Sequence, residues 1–208
     1  MKCVHAALAH SFSLLVFGLG STAVVADVPT GLSVYAQGIV SSSTTESIIV
    51  NDDNTTTRLG LGASDTTFGI GADFGFGAGT DSVFRIGVEY QGKTDAGILG
   101  TATLQDEARW SVWVSPGMVV GQSLFYARLG ATYGETSLND PDDNFSRKYD
   151  TDGTFYGVGV RSYFEDGVFV DVSFDRSSLD TIRDPELGDA ARFEPEVTTG
   201  RIAFGVTF

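Results

Sequence analysis

What this chain lacks narrows its chemistry before any pattern is read. Its single cysteine is Cys3, and its only histidines are His5 and His10. The sequence from position 11 onward therefore offers no disulfide and no thiolate or imidazole metal site. A Ser–His or Asp–His pair has no base there. No apolar run approaches the roughly 20 residues that a membrane-spanning helix needs. Prolines number only 5, and no helical periodicity or linker stands out. Positive charge is scarce as well, 13 Lys and Arg against 27 Asp and Glu. That balance argues against nucleic acid as a partner, because a basic face supplies most of such affinity. No cofactor motif is present, and none is expected.

The first 26 residues read as a secretory signal peptide. A basic start (Met1, Lys2) precedes an apolar run at Phe12–Leu19, and small residues follow, with Val24 and Ala26 placed for a signal peptidase. Cys3 lies ahead of that run, not after it, so it is not placed for lipid attachment. Cleavage would leave residues 27–208 as one domain without cysteine or histidine. That domain would keep 12 basic and all 27 acidic residues, for a net charge of about −15.

What the chain does have is alternation. At the C-terminal end Ile202, Phe204, Val206 and Phe208 share one parity, and Arg201, Ala203, Gly205 and Thr207 the other. This is the period of a β-strand with one oily face. The pattern recurs at Phe68–Phe76, Phe84–Tyr90, Ala108–Val114, Phe125–Tyr133, Tyr156–Phe164 and Val168–Phe174. A first strand opens with Leu32, Val34 and Ala36, although Tyr35 and Ile39 blur its parity. Eight strands result. The stretches between them alternate long and short: polar 41–64, a tight turn at Gly77–Asp81, 92–106, a turn near Pro116–Ser123, acidic 135–153, the tight Glu165–Gly167 and acidic 177–196. Tight turns at one rim and large loops at the other suit an eight-stranded antiparallel up-and-down transmembrane β-barrel.

Charge placement decides which face points where. In strands two to eight the apolar parity carries no charge. The other parity carries Arg85, Arg109, Arg128, Arg161 and Arg201 with Asp73, Glu89, Asp171 and Asp175. One arginine on the lipid face at mid-depth costs about 2–4 kcal/mol. Five would approach the stability of a whole domain. In a membrane these charges must face a lumen. In a soluble, lipocalin-like barrel, the alternative reading, they would face water and the phenylalanines would line a cavity.

On these residues the chain resembles the small eight-stranded outer-membrane barrels of Gram-negative bacteria, the opacity-protein group with its OmpX/Ail-like and OmpA-barrel relatives. The terminal run Ile202, Phe204, Val206, Phe208 is similar to their C-terminal insertion signal. The resemblance implies location in the outer membrane, contact with its lipid and lipopolysaccharide, and recognition of the last strand by the barrel-assembly machinery. It also implies a structural or surface role, with a host or cell-surface ligand bound through the loops. The enzymes known on such barrels need histidine, so no enzyme is expected. A narrow channel or apolar-ligand conduit is the second reading, since glycines at 69, 71, 87, 130, 157, 159 and 205 would leave the lumen room for water. Asp140-x-Asp142-x-Asn144 resembles the start of a calcium loop, but Phe145 stands where glycine is required. No metal site is expected.

Overall fold

Segments that alternate oily with small or charged residues form strands, and little else is found in the computed structural model, which describes residues 30–50, 56–78, 80–99, 102–140, 145–183 and 191–208. In chain order the strands are β1 (Gly31–Val50), β2 (Thr56–Gly77), β3 (Ser82–Gln91), β4 (Thr94–Leu99), β5 (Ala102–Asp106), β6 (Arg109–Val120) and β7 (Ser123–Tyr133). They continue with β8 (Glu135–Asp140), β9 (Phe145–Asp150), β10 (Gly153–Tyr163), β11 (Val168–Leu179), β12 (Ile182–Arg183) and β13 (Ala191–Thr207).

Eight of these close a barrel. In the order β1-β2-β3-β6-β7-β10-β11-β13 each strand lies antiparallel to its neighbour, and β13 returns to β1 from Ser33↔Thr207 to Ile49↔Ala191. Closure leaves this ladder no free edge. Three connections are tight. One of them, Glu165–Gly167, is a single turn in which Asp166 (φ 60°) and Gly167 (φ 74°) take left-handed backbone conformations. Pro116 interrupts β6 without shifting it: Val114↔Leu129 and Gly117↔Tyr126 belong to one register on either side of a residue that has no donor.

The long connections differ from expectation. Ser41–Val50 continues β1 and Thr56 begins β2, and the two are laddered from Ser41↔Asp65 to Val50↔Thr56. Stretches 92–106 and 135–153 contribute β4, β5, β8 and β9, which form a second antiparallel sheet beside β2, while 177–196 contains β12 and the beginning of β13. The reason is length. Strands β1, β2 and β13 run 20, 22 and 17 residues, whereas about 9–11 suffice to cross the hydrocarbon. Beyond that span both faces of a strand can meet water. The apolar alternation then stops while the ladder hydrogen bonds go on. The expected signal peptide, and Asp142, Asp143, Asn144, Asp184, Glu186 and Asp189 of the acidic stretches, lie outside the described residues.

The oily parity faces outward: Phe68, Phe204 and Phe208 are 78, 63 and 76 % exposed. The lipocalin-like alternative needs the opposite and is set aside. Tyr35 and Ile39 point inward. At the short-turn end the lumen is filled by Val83, Leu124, Tyr163 and Phe169, packed with Tyr35, Tyr126 and Ala203.

Candidate functional site

Above this apolar plug the inward parity of β2, β3, β7, β10, β11 and β13 brings charges from across the barrel into contact. Asp73 on β2 accepts two hydrogen bonds from Arg85 on β3, at 3.0 Å from Nε and 2.6 Å from Nη2. It also accepts from Arg161 on β10 at 2.9 Å. Arg161 reaches Asp171 on β11 through Nε at 2.8 Å, and Tyr126 donates its hydroxyl to the other oxygen of Asp171 at 2.5 Å. One row higher, Glu89 accepts from Arg128 at 2.8 Å and from the Tyr35 hydroxyl at 2.8 Å. Arg128 also lies 3.8 Å from Asp175, which pairs with Arg201.

Aromatic rings tie the rows together. Trp113 lies between the Arg85 and Arg128 guanidiniums, 5.1 and 4.7 Å from its ring centre. Arg161 lies 3.8 Å from the centre of Phe169. Cations against desolvated rings gain on the order of 2 kcal/mol. The inward glycines do not leave room for water as expected. A Cβ at Gly71, Gly87, Gly159 or Gly205 would overlap the ring of Tyr35, Trp113, Tyr126 or Phe169 respectively. Rings from neighbouring strands occupy the space that those glycines vacate.

At the opposite rim Arg109 forms a separate cluster. It donates to Asp106 at 2.9 Å, to the Thr151 carbonyl at 2.7 Å and to the Thr136 and Thr151 hydroxyls at 3.2 and 2.9 Å. This clasp holds the second sheet onto the barrel wall. Asp106 was not among the charges expected inside, because its stretch reads as loop. Its inward direction becomes meaningful only once β5 pairs with β8. Tyr35, Tyr126, Thr136 and Thr151 were missed as partners for the same lack of a local signal. With Asp106 counted, the buried charged residues are five arginines and five carboxylates among the described residues.

Space within the lumen is correspondingly small. At the level of Arg85, Glu89 and Arg128 the residual cavity is about 10 Å³. Nearer Arg109 and Arg201 it is about 30 Å³. The first is at the lower bound for one water molecule, about 10–15 Å³. Glu89 and Asp171 are held by Arg128 and Arg161 respectively.

The outer surface carries its own signature. Tyr90 and Trp110 pack as a tilted pair with ring centres 4.9 Å apart near the upper rim, and Phe76 and Phe84 do so at 5.2 Å near the lower. Above the upper pair Lys93 bonds Glu107, and Lys148 lies 3.1 Å from Glu135 and 3.7 Å from Glu107. Hydrogen bonding to Lys93 holds the Glu107 carboxyl below its ordinary pKa, while Glu135 and then Glu107 raise that of Lys148.

The family described as outer membrane protein beta-barrel domain matches residues 12–208. The chain belongs to that family. An outer-membrane barrel of this class has its tight turns in the periplasm and its long connections outside, so the second sheet is extracellular and the aromatic pairs flank the lipid. Among solved structures the barrel is similar to OprG from Pseudomonas aeruginosa, with 14 % identity, a TM-score of 0.55, and coverage of 86 % of this chain and 97 % of that one. It is also similar to Ail, the attachment invasion locus protein of Yersinia pestis, in complex with the heparin analogue sucrose octasulfate. There the identity is 16 %, the TM-score 0.52, and the coverage 86 % of this chain and 99 % of that one. At such identities the likeness is one of fold. No curated protein matches the chain in sequence.

Proposed function

We propose that this outer-membrane barrel is a closed, non-enzymatic protein whose interactions are made by its acidic extracellular segments. The observation that carries the reading is the packing at mid-lumen. Guanidiniums, carboxylates and aromatic rings leave about 10 Å³ there, above an apolar plug formed by Val83, Leu124 and Phe169. Asp73, Arg85, Glu89, Arg109, Arg128, Arg161, Asp171, Asp175 and Arg201 are structural on this reading. They neutralise one another and fix strand register. Buried pairs of this kind contribute little net stability when intact but cost several kcal/mol when one partner is lost.

The extracellular side supplies the surface. Residues 135–153 hold six acidic and two basic side chains, and residues 177–196 hold six and two. Ail is in complex with the heparin analogue sucrose octasulfate. The charge on this chain favours the opposite, a cationic host or cell-surface ligand. Ile202, Phe204, Val206 and Phe208 form the signal read by the barrel-assembly machinery, and lipopolysaccharide surrounds the outer rim.

Planar-bilayer recording tests the closed lumen. The purified full-length barrel is expected to show no steady conductance. Stable, reproducible steps would overturn the reading in favour of the narrow channel.

A further inference from the structure

The lipid-facing surface is not evenly filled. Between the rows Val206–Val34–Ala72–Val88 and Phe204–Ala36–Ile70–Tyr90–Trp110 runs a groove of about 590 Å³, almost wholly apolar in lining. That volume lies within the roughly 300–1,000 Å³ of ligand pockets. Its floor lies low because Ala36 and Ala72 are small, while Ile70 and Phe204, 61 and 63 % exposed, stand up as a wall. The groove climbs obliquely across four strands to the Trp110 ring.

On the far side of the same ring a second hollow begins. It is lined by Tyr133 and Gly134 together with Glu107, Glu135, Asp150 and Asp152. Two ammoniums, Lys93 and Lys148, answer those four carboxylates. The placement of Lys148 between Glu107 and Glu135 shows that an ammonium on a flexible stem fits this hollow. Asp150 and Asp152 are exposed and leave a surplus of negative charge.

An oily channel that ends in an anionic hollow, divided by one interfacial indole, has the outline of an amphiphile with a positive head. We propose that this face selectively holds an outer-leaflet lipid whose headgroup carries a free ammonium. Its chain lies over Ala36 and Ala72, its glycerol or sugar region meets Trp110, and its ammonium sits against Asp150 and Asp152. Ordinary lipid fills the groove non-specifically. The anionic hollow adds the selection, and an anionic headgroup is repelled there.

The tryptophans provide a reporter. Trp110 is 56 % exposed on this face, whereas Trp113, the only other one, is 3 % exposed inside the lumen. The full chain in dodecyl maltoside micelles is titrated with a bromododecylammonium and, separately, with the bromododecyl sulfate of equal length. Quenching by the cationic probe is expected to be half-complete at about a tenfold lower mole fraction, as exposed ion pairs allow. D150N/D152N should bring the two probes within twofold. E165Q/D166N, which removes the same charge at the opposite rim, should leave the tenfold preference. A72L fills the floor and should weaken both probes several-fold. Each variant is first shown to be folded by heat-modifiable gel mobility, and E135Q provides a second single-charge test of the hollow. Equal quenching by the two probes overturns the proposal. So does loss of preference in E165Q/D166N, or unaltered binding in A72L.

Discussion

Arg161 is the largest fully buried side chain among the described residues. It is 1 % exposed and ties three strands to its own: to Asp171 on β11 at 2.8 Å, to Asp73 on β2 at 2.9 Å and to Ser33 on β1 at 3.3 Å. Two charge-assisted bonds at about 1.5–3 kcal/mol each give roughly 3–6 kcal/mol. The cost of breaking a buried pair from one side, about 3–5 kcal/mol, falls in the same range. Methionine keeps much of the volume over the Phe169 ring, so Arg161→Met isolates the charge. R161M is expected to lose about 3–5 kcal/mol. Adding Asp171→Asn removes the carboxylate left without its nearest cation and retains an oxygen for the Tyr126 hydroxyl. The double variant is therefore expected to recover about half of the loss. Urea titration of the barrel in phospholipid vesicles, scored by the mobility of unheated samples, reads both values. A loss below about 1 kcal/mol in R161M, or a double variant no more stable than the single, would refute the claim that paired charge holds the lumen together.

Two further perturbations address the extracellular side. Arg109→Ala removes the clasp on Asp106, Thr136 and Thr151. Amide hydrogen exchange in β5 and β8 should then accelerate as about 1–3 kcal/mol of local protection is lost, with β7 and β10 unchanged. Uniform acceleration, or none, would show that Arg109 does not anchor the second sheet. Neutralising Asp140, Asp142, Asp143, Asp184, Glu186 and Asp189 together should weaken binding of a fluorescent oligolysine by roughly five- to tenfold at low salt, with the difference fading as salt screens it. Undiminished binding would remove these segments as the interaction surface.

The barrel wall was legible in the sequence because lipid enforces it. A charge on the outer parity is so costly that arginines and carboxylates are confined to the other one, and period-2 alternation survives through the crossings that follow β1. Ser115 and Gly117 keep their inward direction on either side of Pro116, since the proline removes a donor without adding a residue. Above the membrane that constraint lapses. Ser41–Val50 is as well laddered as the segment below it, yet its serines and threonines carry no parity signal. The contacts that matter most there join residues far apart in sequence, Asp106 to Thr136 and Thr136 to Thr151. The glycines misled for a related reason. A residue without a side chain reads as space, but what fills that space is decided by the neighbouring strand: Tyr35 over Gly71, Trp113 over Gly87.

The same constraint explains how charge is divided between inside and outside. A lumen of packed rings and guanidiniums cannot solvate an odd charge, and five arginines there meet five carboxylates. The whole net charge of −14 therefore belongs to residues outside that buried set, 22 acidic against 8 basic of the 27 and 13 in the chain. Where the described charges are exposed, water and salt screen them, so each costs little and each can be exchanged for another without disturbing the wall. The interior is constrained to neutrality by its low dielectric, whereas the exterior is free to become strongly acidic. If the lumen is closed as proposed, the barrel serves as a scaffold in the membrane and recognition falls to the one region where charge can accumulate. That is why its acidity is informative about partners and its buried arginines are informative about stability.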